Sequence, residues 1–300
     1  MELCKDPRLA AETALGPIED FDFDIAILFS DLLFPLEAMG MGLRYDPGPI
    51  LDRKLDGELM KSLRSPDEAI SFLEFQKEAV IETRAKLGDD KSLIGFVGGP
   101  WTLFSYAVEG RHQGALQKTK KEFSLFDHFQ KEFLMPLLKK NIQLQFDGGA
   151  EIVMVLDTAA GELSPDFFQN HLASYMTELA TAFPNKLGFY TKGIAPAFYN
   201  SSNFEKDPWA GFGFDHRIDF KEVLVDQHLP GFRQGNFDHG LMFLAEKEFK
   251  AEVDRYLQGF LDLSIEERKN WVCGLSHGVL PETPEEHVRY FVNRVRELFK

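Results

Sequence analysis

Four aspartates and several histidines stand where short apolar runs give way to turns. Ser30 and Asp31 follow Ile25–Phe29, and Asp157 and Thr158 follow Ile152–Leu156. Gly98-Gly99-Pro100, leading to Tyr106, follows Ile94–Val97. Thr191 and Lys192 follow Leu187–Tyr190, and Asp215 and His216 follow Gly211–Phe214. Asn236 and Asp238 come after Gly231–Arg233, and Ser276 and His277 after Trp271–Leu275. Carboxylates in such places can stabilise a developing cation, carry a proton or hold a metal, and imidazoles can do the last two.

Each of these residues also has a plain structural use. Asp31 can N-cap the helix that follows it. Asp157 can bond backbone N–H groups of its own loop. Gly98-Gly99-Pro100 reads as a tight turn, since no lysine accompanies it to make a phosphate cradle. Lys192 is expected to pair with a neighbouring carboxylate. Asp215-His216 and Asp238-His239 resemble metal-ligand pairs, but neighbouring side chains in a strand point to opposite faces. His277, between Ser276 and Gly278 at the end of the last run, is the hardest to explain by structure alone. His112, His128, His171 and His228 have no partner at ligand spacing, and His287 is expected to face solvent from the final helix. Neither H-E-x-x-H nor G-x-S-x-G occurs. Cys4 and Cys273 are too few for a disulfide framework or a Cys-rich zinc site, and Cys273 reads as a small core residue.

The elements that must position these groups alternate regularly. Seven apolar or Gly-rich runs read as strands buried on both faces, separated by helical stretches. Ser65-Pro66-Asp67-Glu68 and Thr283-Pro284-Glu285-Glu286 each present a hydroxyl N-cap, Pro at N1 and Glu at N3, and Ser164-Pro165 opens a third helix. Ile70, Leu73, Val80 and Ile81 give one apolar helical face; Val288, Phe291, Val292, Val295 and Leu298 give another. Strand–helix alternation along the whole chain predicts a parallel sheet with crossover helices. No G-x-G-x-x-G or G-x-x-x-x-G-K-[ST] follows a strand, so an α/β barrel of the (β/α)8 TIM type is favoured over a nucleotide-binding doubly wound sheet. Such a barrel needs eight strands, and seven are present. The 300 residues carry a formal charge of −15, which argues against nucleic-acid binding. No apolar run approaches the length of a membrane span and no secretory h-region is seen, so a cytoplasmic location is expected.

Several segments resemble the uroporphyrinogen decarboxylase family. They are Ile25-Ala26-Ile27-Leu28-Phe29-Ser30-Asp31-Leu32-Leu33, the Gly95–Leu103 run with Tyr106 and Glu109-Gly110, Gln234-Gly235-Asn236-Phe237-Asp238, and Ser276–Glu285. The resemblance spans essentially the whole chain and implies a single (β/α)8 barrel domain over residues 1–300. It implies removal of CO2 from the four acetate side chains of uroporphyrinogen III, giving coproporphyrinogen III, with no cofactor and no metal. Asp31 matches the family's catalytic aspartate, which faces the pyrrole N–H groups. Tyr106 and His277 match residues lining the cleft, Thr158 stands where the family usually has Ser, and Phe29 offers an apolar wall. Backbone N–H groups near Leu33 are expected to help hold a substrate carboxylate. A homodimer is implied, with a tetrapyrrole substrate as the small-molecule partner.

The chain departs from the family at its start. Cys4-Lys5-Asp6-Pro7 matches sequence that lies, in the family, after an Arg-Gln-Ala-Gly-Arg-Tyr block carrying the first barrel strand and carboxylate-binding arginines. The missing strand explains the count of seven, and the missing arginines lead to the expectation of little turnover by the chain as written. Two alternatives remain: a tetrapyrrole-binding paralogue impaired in catalysis, and a metal-dependent barrel enzyme. The latter would be a methyltransferase, whose thiolate ligands are absent here, or a hydrolase using Asp157, Asp215 and His277.

Overall fold

The computed structural model describes residues 2–111, 114–193, 203–226 and 228–299. His112 lies outside them. The main sheet has seven parallel strands: β1 (Ile25–Ile27), β4 (Ser92–Gly98), β5 (Ile152–Leu156), β6 (Leu187–Tyr190), β7 (Gly211–Gly213), β8 (Phe232–Phe237) and β9 (Trp271–Leu275). They are hydrogen-bonded in that order, each neighbour the next in sequence among them. Two further short strands, β2 (Arg44–Tyr45) and β3 (Pro49–Ile50), form a hairpin after β1 that the sequence did not suggest.

The sheet is a curled half-barrel rather than a closed one, since β1 and β9 are its two edges and do not pair with each other. A cavity of about 860 Å³ runs through the interior and opens along this seam. Ile25 and Ile27 line it from one edge, and Trp271, Cys273 and Leu275 from the other. Ile27 is therefore 50% exposed, and β9 is only half-buried along its length. Closure of a barrel leaves no unpaired backbone edge; this sheet keeps two. The helix Glu285–Leu298 spans the seam from outside, placing Val288, Val292 and Val295 on the cavity. Its Arg296 bonds the carboxylate and carbonyl of Asp22 and reaches Asp24 at 3.2 Å, while Lys91 holds Asp22 from β4's side at 2.6 Å.

Elsewhere the core is unusually rich in phenylalanine. Trp101, Phe104, Phe126 and Phe129 are fully buried, with ring centroids 5–6 Å apart in edge-to-face and tilted pairs. Rings of this size fill the space between sheet and helices with few side chains.

The local signals hold unevenly. The Ser65–Glu68 capping box forms with both of its reciprocal bonds, and Ser164 caps the helix that Pro165 begins. Leu73 and Val80 are buried as expected, but Ile81 is 46% exposed. Thr283 does not cap the last helix: its hydroxyl bonds Leu280 O at 2.7 Å, and the helix begins after Pro284. His287 does not face solvent. It is buried, bonds Met242 O at 2.9 Å and stacks on Phe249 at 4.0 Å, because the final helix packs its first turn against the helix Glu246–Leu261. Strand β8 runs four residues beyond the expected Gly231–Arg233, so Asn236 lies within the sheet. There its amide donates to Asp215 O (2.8 Å) and Ile218 O (2.9 Å), a role in holding the loop after β7.

Candidate active site

Because all seven strands are parallel, the turns that follow them lie on one rim, and most of the candidate residues lie on those turns, Asn236 within β8 and Tyr106 on the helix after β4 excepted. Asp31 follows β1 in a short irregular stretch. Its Oδ1 accepts the Leu33 N–H at 2.7 Å, closing a local Asx turn, and its Oδ2 accepts the Tyr45 hydroxyl. The helix that follows begins at Phe34 with Leu33 at its N-cap position, so Asp31 is not the cap. The Leu33 N–H is thus engaged by Asp31 and is not free for a substrate carboxylate, which corrects the expectation for that group. Leu33 itself is buried in the core, and Phe29 is half-buried against it.

Tyr45 was missed in the sequence. It comes from the β2–β3 hairpin, and only the fold brings it back to Asp31, fourteen residues earlier. Burial, and then the hydrogen bond to Asp31, push the Tyr45 hydroxyl far above its usual range, so it remains a donor. Tyr106, on the helix Pro100–Glu109, is half-buried; burial and then the charge of Asp31 raise its hydroxyl too, which puts it within electrostatic reach of that carboxylate. No cation lies within ion-pair distance of Asp31 among the described residues.

Asp157 is fully buried. Its Oδ1 accepts from the Thr102 N–H and the Thr102 hydroxyl, both at 2.7 Å, and its Oδ2 from the Trp101 N–H at 3.1 Å. The carboxylate therefore serves the first turn of the helix after β4, not its own loop. Gly99 is required by that contact, since a Cβ there would lie 2.3 Å from the Asp157 Cβ. Burial pushes the Asp157 carboxyl up to about 6, against the three donors, which pull it down. Thr158 follows, half-buried in the turn Thr158–Glu162.

On the other side of the rim Asp215 is also structural. It accepts from Gly193 N (2.6 Å), Arg217 N (3.0 Å) and the Arg217 guanidinium (2.7 Å). Lys192 is exposed and has no carboxylate within ion-pair distance among the described residues, contrary to expectation. His216, Asp238, His239 and Ser276 form a compact group. The buried Ser276 hydroxyl lies 3.2 Å from His216 Nδ1 and 2.9 Å from His239 Nδ1. His277 is exposed, its ring 5.3 Å from that of His239. Burial, and then His277, lower the His239 imidazole below its usual range. Asp157, Asp215 and His277 are not brought together, so a hydrolase built on those three has no geometric basis.

Asp31, Tyr45 and Tyr106 thus form one cluster, and the histidines with Ser276 form another. The large cavity includes none of Asp31, Tyr106 or Thr158. It is mostly apolar barrel interior, unsuited to a polyanion.

The model of the uroporphyrinogen decarboxylase family matches residues 1–298. The chain belongs to that family. It is 31% identical to the uroporphyrinogen decarboxylase of Pseudoalteromonas atlantica, an alignment covering 99% of this chain and 85% of that protein. It is likewise 31% identical to the enzyme of Pelobacter propionicus, covering 99% and 87%. Among solved structures, a methyltransferase from Methanosarcina mazei superposes with a TM-score of 0.69 at 20% identity, covering 99% of this chain and 87% of that one. That likeness shows the TIM-barrel-like fold.

Proposed function

We propose that the chain is a carboxy-lyase of tetrapyrrole biosynthesis, releasing CO2 from the acetate side chains of uroporphyrinogen III to give coproporphyrinogen III. Family membership supports the reaction class. The observation that carries the site is Asp31: a carboxylate with both oxygens oriented by neutral donors and no cation within ion-pair distance among the described residues.

Loss of CO2 from an acetate leaves an electron pair on carbon. Protonation of the adjoining pyrrole ring supplies a sink, because the ring becomes an iminium-like cation. Asp31 accepts hydrogen bonds from pyrrole N–H groups through its remaining lone pairs and stabilises that cation. The Leu33 N–H and the Tyr45 hydroxyl hold the carboxylate in place, so no reorganisation is needed as charge develops. Being neutral, neither cancels its charge, as an arginine would. Phe29 and the half-buried Tyr106 lower the local dielectric and strengthen the interaction. Thr158 and His277 contact substrate carboxylates or ring edges farther round the rim.

A homodimer with facing clefts is part of the same reading. Its support is the apolar character of the rim: Tyr45 on the hairpin after β1, and Phe243, Val279 and Leu280 on the turns after β8 and β9, are at least 40% exposed. Sedimentation velocity tests it, and a monomer at micromolar concentration would end it. A cytoplasmic location is proposed with it, resting on the family; no helix among the described residues is long and apolar enough to cross a membrane.

The reaction is tested by anaerobic incubation with uroporphyrinogen III, scoring stepwise loss of carboxyl groups by mass. The expected result is release that depends on Asp31. Asp31→Asn keeps the shape and removes the charge, and should slow turnover by about 10²–10³, the loss of about 3–4 kcal/mol of transition-state stabilisation. Unchanged turnover in Asp31→Asn would overturn the role given to this carboxylate.

A further inference from the structure

We propose that His216, Asp238 and His239 form a binding site for a divalent transition-metal ion of the zinc type. It stands apart from the Asp31 cluster and independently of the decarboxylase reading. The three residues each offer one ligand atom, and these atoms lie within 4.8 Å of one another. Asp238 Oδ1 is 3.8 Å from Nδ1 of His216 and 3.8 Å from Nδ1 of His239. Tetrahedral zinc with bonds of about 2.0–2.1 Å needs ligand atoms about 3.3 Å apart, so small rotations of the side chains complete the set.

Strand alternation argued against Asp238 and His239 serving one ion. The chain escapes it because β8 ends at Phe237. Asp238 is the N-cap of the turn His239–Phe243, and its Oδ1 accepts the Gly240 N–H at 2.9 Å. That turn carries the His239 ring back toward Asp238, while His216 arrives from the end of the adjacent strand, β7. Both rings are already aimed. The Ser276 hydroxyl sits between their Nδ1 atoms, and the His239 backbone N–H also points to it at 3.4 Å. Two imidazoles converging on one hydroxyl and one carboxylate, with no lysine or arginine in ion-pair contact with that carboxylate among the described residues, is an arrangement that a cation completes.

The donor types select the metal. Two imidazole nitrogens and one carboxylate oxygen suit zinc, cobalt or nickel; calcium and magnesium prefer all-oxygen shells, and copper(I) prefers sulfur. Three protein ligands leave a fourth position. The side-chain exposures of 29% for His216, 34% for Asp238 and 14% for His239 leave it reachable from the rim. Water, the Ser276 hydroxyl or a carboxylate of a bound ligand can fill it.

The test uses the full chain after dialysis against chelator. Titration with ZnCl2 is followed by calorimetry, and titration with CoCl2 by visible absorption, which reports four-coordinate cobalt directly. The expected result is one zinc per chain, with affinity at least tenfold weaker in His239→Ala and in His216→Ala. Asp238→Asn retains the cap on Gly240 while removing the carboxylate charge, so its expected tenfold loss cannot be blamed on misfolding. His228→Ala, at the separate exposed His228–Asp226 pair, should bind as the unaltered chain does. Thermal unfolding in chelator checks that each variant is folded. The proposal is overturned if zinc does not bind stoichiometrically, or if the His216→Ala/His239→Ala double variant binds it as well as the unaltered chain. Decarboxylation is not read in any of these measurements, so failure here leaves the Asp31 mechanism standing, and the converse.

Discussion

Replacing Asp157 by Asn sets burial against hydrogen bonding at a single group. The carboxylate has no access to water, yet it accepts three hydrogen bonds at the start of the helix Pro100–Glu109. Burial favours the protonated acid; the donors and the helix N-terminus favour the anion. The balance lies with burial, raising the group from 3.8 to about 6. An acid whose folded value exceeds its unfolded value destabilises the fold once both states are ionised. Stability is therefore gained as pH falls from about 6 towards 4. At 1.36 kcal/mol per unit, the gain is about 2–3 kcal/mol. Asn does not titrate. Its carbonyl can accept from Thr102, but its NH2 faces the Trp101 N–H, leaving a buried donor unpaired at a cost of about 1–3 kcal/mol. At pH 7 that cost is largely offset by the removal of the ionisation penalty, so Asp157→Asn should lie within about 1–2 kcal/mol of the native chain. At pH 4 the native chain should be ahead by a further 2–3 kcal/mol or so. Urea unfolding of both proteins at pH 4, 5, 6 and 7 gives the difference, and titrations common to the two cancel. A gap that narrows on acidification would mean that the donors win and the folded value lies below 3.8, refuting the argument from burial.

Tyr45→Phe removes one of the two donors orienting Asp31; a bond to a charged group is worth about 1.5–3 kcal/mol, so kcat should fall roughly ten- to hundredfold with KM little changed, as steady-state assays with the porphyrinogen would show. A loss confined to KM would assign Tyr45 to binding instead. His287→Ala should cost about 1–3 kcal/mol in denaturant unfolding, through the lost bond to Met242 O and the lost stack on Phe249; a change under about 0.5 kcal/mol would return His287 to the surface. Arg296→Ala releases Asp22 and Asp24 from the last helix, and amide exchange in Ile25–Ile27 and Trp271–Leu275 should quicken. Unchanged exchange there would show that the apolar contacts of Val288, Val292 and Val295 hold the seam without the ion pairs.

The limits of reading the sequence follow from the range of the forces involved. The strands Ile152–Leu156, Leu187–Tyr190 and Trp271–Leu275 were legible to the residue because each is an apolar run bounded by turn-formers. The Ser65 cap was legible because its partners are three residues apart. Thr283 carried the same signal and failed, since the turn at Leu280 offered its hydroxyl a competing acceptor. The hairpin at Arg44–Tyr45 and Pro49–Ile50 gave no signal, as two-residue strands have no period to detect.

The sequence by itself determined the parallel α/β architecture, the seven strands, and the rim on which Asp31, Tyr106, Thr158 and His277 would lie. These follow from local periodicity and from the rule that turns after parallel strands share one end. Which acids are free for chemistry was decided only by the tertiary structure. Asp157 and Asp215 looked like Asp31 along the chain. They became structural when folding buried them against Trp101, Thr102, Gly193 and Arg217, partners up to 56 residues away. Asp31 received Tyr45 by the same kind of closure, and His216, Asp238 and His239 met through the turn that ends β8. A side chain's charge state and role depend on what desolvates it and what bonds it. Both are set by contacts between distant segments, which no local pattern encodes.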